Sequence, residues 1–236
     1  MLFLLPPSET KKSGGGSLNI QQVALTFGGL NPAREGALEA LGDDSILTAP
    51  TMRALDRYTG TLYSALHGRG LKGSATANNS LTPDEIARAK STVLIQSAIF
   101  GLIPATDLIP EYKVSAGKTL NGLNLKKLWS QAHLAIWPRL TGGVIVDLRS
   151  KAYAELAPIP QGVEHYNVSV EVQHEDGSRV QLNHFNKKAK GQLVRAALTA
   201  KKAPQTIAEL KACARKVGLT IEVAGNHLTL VTREVN

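Results

Sequence analysis

The sequence predicts an α/β (α+β) fold. Strand-like apolar runs at 1–5, 144–148 and 163–172 are interleaved with helical patterns that carry their own start and stop signals, the clearest opening at Thr82-Pro83-Asp84-Glu85. A chain of 236 residues, 43% hydrophobic and 19% charged, is long and apolar enough for a sizeable core, as one large domain or two small ones.

Residues 1–5 read as a buried strand stopped by Pro6-Pro7. The loop that follows carries Ser8, Lys11, Lys12 and a glycine run. It is too polar for a core and lies where ligand contacts occur, at the end of a central strand; a mobile linker is the plainer reading. It is not a P-loop, because its lysines precede the glycines and no Gly-Lys-Ser/Thr opens a helix. Residues 31–41 read as a helix capped by Asn31, with Pro32 in its first turn and Gly42 past its end. A second helix is expected over 51–66, burying Leu55, Tyr58, Leu62 and Leu66 and broken by Gly68 and Gly70. Arg57, Tyr58, Gly60 and Tyr63 are site candidates there, although tyrosines at this spacing also serve as core.

Thr82 caps the next helix and Glu85 completes a capping box, with helical spacing expected to about residue 98. Phe100-Gly101-Leu102-Ile103-Pro104 then reads as a tight apolar turn into another short helical stretch ending near Tyr112. Such a corner is structural on the bare pattern, yet it can offer backbone N–H groups to a phosphate, with Asp107 and Tyr112-Lys113 just beyond. Residues 124–137 are amphipathic, with Leu125, Leu128, Trp129, Ala132 and Ile136 inward and Pro138 closing the helix. Residues 144–148 read as a central strand. Arg149, Ser150, Lys151 and Tyr153 at its carboxyl end make an anion site or, equally, a helix start with solvated charges. Residues 163–172 and 178–185 are expected to pair about the turn His174-Glu175-Asp176-Gly177. A helix over 206–217, stopped by Gly218, and a hairpin of 219–223 with 227–232 complete the chain.

The charge is unevenly spread. The chain carries 27 Lys/Arg against 19 Asp/Glu, a net charge of +8, and residues 183–216 hold nine of the bases and one acid, so the remainder is neutral. A neutral body with one cationic segment points to a phosphate-bearing partner; a solvated helical face is the bland alternative. The segment centres on Lys187-Lys188-Ala189-Lys190-Gly191, placed between a strand end and a helix marked by Leu193, Val194, Ala197 and Leu198. Lysine point charges beside free N–H groups at a helix start would serve phosphate oxygens well. Six histidines and the single Cys213 show no metal-ligand spacing, so neither a metal nor a cofactor is expected. Cys213 reads as a packing residue. Without an intrachain disulfide, a signal-peptide core or a membrane-length apolar run, a cytoplasmic protein with no membrane partner is expected.

Blocks spread in order along nearly the whole chain resemble the peroxide stress protein YaaA family. They are the opening strand with Pro6-Pro7-Ser8-Glu9-Thr10-Lys11, then Arg57-Tyr58-Thr59-Gly60-Thr61-Leu62-Tyr63, and Ser97-Ala98-Ile99-Phe100-Gly101-Leu102-Ile103-Pro104-Ala105-Thr106-Asp107. Tyr112-Lys113, Leu128-Trp129, Val146-Asp147-Leu148-Arg149-Ser150 through Tyr153, and Lys187-Lys188-Ala189-Lys190-Gly191 follow. Each block is weak alone; order and spacing together are specific. The resemblance implies a single compact domain over 1–236, with a mixed sheet, flanking helices, a helix–hairpin–helix element at about 83–112 and the basic segment 183–216. It also implies a positively charged cleft, DNA binding, and protection against hydrogen peroxide by limiting free intracellular iron.

Two functions follow from different classes. In the first, the protein binds nucleic-acid phosphates, mainly on the DNA backbone, or a phosphate-bearing small molecule, through Ser8, Lys11, Lys12, Gly101, Lys113, Arg149, Ser150, Lys187, Lys188, Lys190 and Gly191, and acts as a monomer. Four neutralised phosphates would give a log-affinity against log-salt slope of about −3.6. In the second, it is an enzyme acting on a nucleotide or nucleic acid, with Lys188 or Lys190 as base or nucleophile and Tyr153 or Ser150 assisting proton transfer. A protein or iron-handling partner without nucleic acid is a third reading.

Overall fold

The computed structural model describes residues 1–69, 81–181 and 183–233. Eight strands form one mixed sheet: β1 (Leu2–Leu5), β2 (Val93–Ser97), β3 (Gly101–Pro104), β4 (Ile145–Asp147), β5 (His165–Gln173), β6 (Arg179–Val180), β7 (Thr220–Ala224) and β8 (His227–Arg233). The order is β7-β8-β5-β4-β1-β2-β3, with β6 paired to β5. β1 is central and runs parallel to β2 and β4, with Phe3 opposite both Val93 and Val146. β5 and β8 continue the parallel set, whereas β3, β6 and β7 are antiparallel additions. The parallel centre explains the composition of β1, β2 and β4. Strands covered on both faces are almost uniformly apolar, while β5, with one wetter face, alternates.

Seven helices matter here: α1 (Asn31–Leu41), α2 (Thr61–Leu66), α3 (Pro83–Thr92), α4 (Leu125–Ala132), α5 (Lys151–Leu156), α6 (Asn183–Leu198) and α7 (Ile207–Arg215). α3 packs on β1 and β2, and α6 on β5 and α2. One hydrophobic cluster joins sheet and helices from Phe3 to Leu230, so the fold is a single α/β domain. Among the described residues no helix is long and apolar enough to cross a membrane.

Several local signals act as expected. Thr82 and Glu85 form the reciprocal cap of α3; sequence reasoning missed a second such box, Thr206 with Glu209 on α7. Gly42, Gly177, Gly218 and Gly225 adopt the positive φ that ends their helices or turns. At α1 the helix begins on Asn31 itself, whose Oδ1 accepts from Arg34 Nη1 (2.8 Å) instead of capping the backbone.

Four expectations are corrected. The helix over 51–66 is two short pieces, Ala54–Arg57 and α2, separated by Tyr58 in extended conformation and Gly60 at φ 88°. The break is imposed from outside. Tyr58 bridges to Lys11, and the buried Arg57 guanidinium donates to the carbonyls of Lys12, Pro50 and Ile109. Gly70 lies outside the described residues. Second, α3 stops at Thr92 and the chain continues as the β2–β3 hairpin, so 83–112 is a helix followed by a β-hairpin, not a helix–hairpin–helix. Val93-Leu94-Ile95 is a short apolar run that pattern cannot assign to helix or strand; pairing beside β1 decides it. Third, Pro138 does not end a helix: after α4 the chain runs on through two 3-10 turns, and Pro138 sits in the first turn of the second, Trp137–Leu140. Fourth, the return strand after the His174 turn is only β6, and helix begins at Asn183; residue 182 of the expected strand is outside the described residues.

Candidate functional site

The carboxyl ends of β1, β2 and β4 meet along one edge of the sheet, the position at which open parallel sheets present their loops to ligands. A cleft of about 370 Å³ opens there. One wall is the loop after β1, from Pro6 to Thr10; a second is Thr59 to Tyr63, the turn into α2 and its first residues. Ser150 and Tyr153 come from α5, and Lys187 from α6.

The two loop walls are tied to each other. Ser8 Oγ accepts the Thr59 N–H (2.8 Å) and donates to the Thr10 carbonyl; the hydroxyls of Thr10 and Thr59 lie 2.8 Å apart. Lys12 N–H donates to the Arg57 carbonyl at 2.8 Å, and Tyr63 OH donates to the Pro6 carbonyl at 2.8 Å. Below this joint lies a buried hydroxyl cluster. Ser97 Oγ accepts N–H bonds from Ile99 (3.2 Å) and Phe100 (3.0 Å), so both lone pairs are used and its own proton goes to Tyr112 OH at 2.9 Å. Tyr112 in turn donates to Tyr58 OH at 2.7 Å. Burial pushes the Tyr58, Tyr63 and Tyr112 phenols above their ordinary range, so all three stay neutral donors.

The expected site residues divide sharply. Lys187 is exposed and lines the cleft, and Ser150 and Tyr153 join it. Tyr153 is half-buried, and desolvation raises its phenol. Lys11 adjoins the cleft from behind the first loop. Its Nζ donates to the carbonyls of Ser8 (3.1 Å) and Glu9 (3.4 Å) and stands 4.2 Å from the Tyr112 ring centre. Burial, aided by the Arg57 charge, lowers its pKa to about 8 against the opposing pull of Glu111 and Glu9. Lys12, Lys113 and Lys188 are exposed but outside the cleft lining.

Lys190, Arg149, Gly191 and Gly101 are structural. Lys187, Lys188 and Lys190 stand within α6 rather than before it, so the amides from Lys187 onward are committed to the helix ladder and not free for an anion. Lys190 is 6% exposed; its Nζ donates to the Leu148 carbonyl (3.1 Å) at the end of β4, and burial lowers it to about 8 while Asp147 opposes. Arg149 is spent on Asp147, with Nε–Oδ1 at 2.9 Å and Nη2–Oδ2 at 2.7 Å, and on the Ala157 carbonyl at 2.9 Å. Gly191 allows α6 to approach α2, and Gly101, at φ 64°, lies against the Trp129 ring, where a Cβ would come within 2.5 Å. The hairpin has no amide to offer a phosphate from Ile99, Phe100 or Leu102, the last donating to His133 Nε2 at 3.1 Å.

Thr10, Thr59, Thr61 and Glu9 are cleft residues that sequence reasoning missed as ligands' neighbours. Their signal was membership of the two blocks that also hold Ser8 and Gly60; the bridge of Lys11 to Tyr58 that unites the two loops spans 47 positions and has no local signature. Among the described residues no group of three or more His, Cys, Asp or Glu is placed to hold a metal ion.

The family model described as peroxide stress protein YaaA matches residues 1–222. A UPF0246 protein of Corynebacterium efficiens is 35% identical, the alignment covering 94% of this chain and 95% of the relative. A UPF0246 protein of Corynebacterium glutamicum is 33% identical over 98% of this chain and 100% of its own length. One of Streptomyces coelicolor is 34% identical over 94% and 92%.

Proposed function

The chain belongs to the peroxide stress protein YaaA family, and on that footing we propose that it binds nucleic-acid phosphates, principally of DNA, at the cleft where β1 and β4 end. Through that binding it helps limit free intracellular iron during peroxide stress. The observation that supports this best is the convergence of Lys187 with Ser8, Thr10, Thr59, Ser150 and Tyr153 at one strand-end cleft. An exposed ammonium supplies charge for a phosphate, and hydroxyls and loop backbone position it. The iron effect is read as a consequence of nucleic-acid binding, since among the described residues no group of three or more His, Cys, Asp or Glu is placed to hold a metal ion.

The test is titration of labelled single- and double-stranded oligonucleotides across a salt series. Affinity should fall with salt, each phosphate neutralised contributing about −0.9 to the duplex slope. No detectable binding at moderate salt would sink the reading. The iron role is checked in cells exposed to peroxide: a chain carrying Lys187→Ala should fail to lower the free iron pool that the unaltered chain lowers.

A second reading, an enzyme acting on a nucleotide or nucleic acid, is favoured by one feature. A cleft of about 370 Å³ falls in the size range of small-molecule sites and has an amine of lowered basicity beside it.

A further inference from the structure

We propose that Lys11 is a nucleophile whose Nζ forms an imine with the open-chain aldehyde of a deoxyribose phosphate seated in the cleft. The proposal rests on the phosphate-binding reading of that cleft and names the chemistry of what enters it. Neither Lys188 nor Lys190, the amines expected from sequence, is placed for this. Lys11 and Lys188 both lie outside the cleft lining, but Lys11 is hydrogen-bonded to two cleft residues while, among the described residues, Lys188 is bonded to none; Lys190 is buried under the end of β4.

The position of the amine carries the argument. Lys11 follows directly on Ser8, Glu9 and Thr10, which line the cleft, and its side chain curls back to the carbonyls of two of them, at 3.1 and 3.4 Å. The rings of Tyr112 and Tyr58 lie beside it, with centres at 4.2 and 5.7 Å. Among the described residues no carboxylate comes within ion-pair distance of this amine. Its anchors are therefore neutral. A neutral amine has two N–H bonds and one lone pair, so two carbonyls can hold both hydrogens and leave the lone pair for an electrophile. A carboxylate partner would instead have locked the group as ammonium. Desolvation, opposed by the charges of Glu111 and Glu9 and aided by that of Arg57, lowers the amine to about 8, so an appreciable fraction is unprotonated just above neutrality. Lys187, exposed and lining the cleft from α6, is left to hold the phosphate.

The step balances without a co-reactant. The Nζ lone pair attacks the aldehyde carbon to give a carbinolamine, the nitrogen proton moves to oxygen, and water leaves as the C=N bond forms. Nothing is oxidised or reduced. Glu9, which lines the cleft and whose charge acts on Lys11, is a carboxylate able to carry that proton. The sugar phosphate has two sources, free in solution or as an abasic site within a strand.

The experiment incubates the full chain with sodium cyanoborohydride and either 2-deoxyribose 5-phosphate or a single-stranded oligonucleotide containing an abasic site. Peptide mapping by mass spectrometry then locates the reduced adduct. The expected result is a secondary amine on Lys11 with at least one probe, the responding probe identifying the source. Yield should rise about tenfold or more from pH 6 to pH 8, as the neutral amine accumulates. Lys11→Arg, with an unchanged melting temperature, should give no adduct at this position. Lys187→Ala should lower the yield at limiting probe and recover it at high probe. Adducts scattered over exposed lysines, or oligonucleotide binding with no Lys11 adduct, would overturn the proposal and leave phosphate binding standing. Absence of both binding and adduct would overturn both.

Discussion

The Cα of Gly191 in α6 faces the main-chain carbonyl of Leu62 in α2 so closely that a Cβ would lie 2.1 Å from its oxygen and 2.9 Å from the Ala65 methyl. This approach presses α6 onto the helix that forms one wall of the cleft, and Lys187 reaches the cleft from one turn earlier on α6. Gly191→Ala should therefore destabilise the protein despite alanine's better helix propensity. The overpacking penalty of about 1–3 kcal/mol exceeds the ~1 kcal/mol gained from propensity. A lower denaturation midpoint with unchanged m-value in urea is the expected readout, and an alanine variant as stable as the parent would contradict the close packing.

Arg149 and Asp147 form a buried ion pair, with side chains 0% and 5% exposed. Removing one partner leaves the other charge without compensation. Arg149→Ala should cost about 3–5 kcal/mol of stability. It should leave the salt slope of oligonucleotide binding unchanged in whatever fraction folds, because the guanidinium faces Asp147 and Ala157 rather than solvent. A reduced slope in folded protein would restore Arg149 to the binding surface.

Lys187 and Lys188 are neighbours in sequence, but only Lys187 lines the cleft. Lys187→Ala should weaken oligonucleotide binding and reduce the log–log salt slope on duplex by about 0.9, with Lys188→Ala having the smaller effect. Equal losses for the two variants would mean that charge density along α6, not the cleft, holds the phosphates.

His133 is fully buried; its Nε2 accepts from the Leu102 N–H at 3.1 Å and its Nδ1 donates to the Trp129 carbonyl at 2.7 Å. Desolvation, with the Arg149 and Arg34 charges adding to it, lowers its pKa to about 4. Between about 4 and the unfolded value of about 6.5 the unfolded chain binds one more proton than the native one, so this contribution to stability grows with pH. As pH falls through that window the protein should lose about 1.4 kcal/mol per unit from this residue. His67, also lowered by burial, acts in the same direction, so the measurement is a comparison of unfolding free energy against pH for the parent and His133→Gln. The glutamine variant should show the flatter profile; identical slopes would remove His133 as the cause.

Much of the architecture was legible because its signals are local. The cap at Thr82, the proline that closes β1, and the glycines that end turns all act over a few residues, and each appears where its chemistry requires. The errors arose where a distant partner outvotes a local pattern. Val93–Ser97 is apolar in a way compatible with either helix or strand, and β1 recruits it as a strand. Tyr58 continues a helical spacing until the bridge to Lys11 pulls it straight.

The candidate site divides along the same line. Sequence alone determined that the body is neutral, that nine basic residues crowd into 183–216, and that polar loops follow the apolar runs of β1 and β4. Tertiary structure alone decided which of those cations are available. It turned Lys187 into the cleft, spent Arg149 on Asp147, buried Lys190 beneath Leu148, and set Lys11 on two carbonyls between tyrosine rings. The reason is physical: a residue's charge is written in its side chain, but whether water, a carboxylate or a carbonyl meets that charge depends on segments brought beside it from elsewhere in the chain.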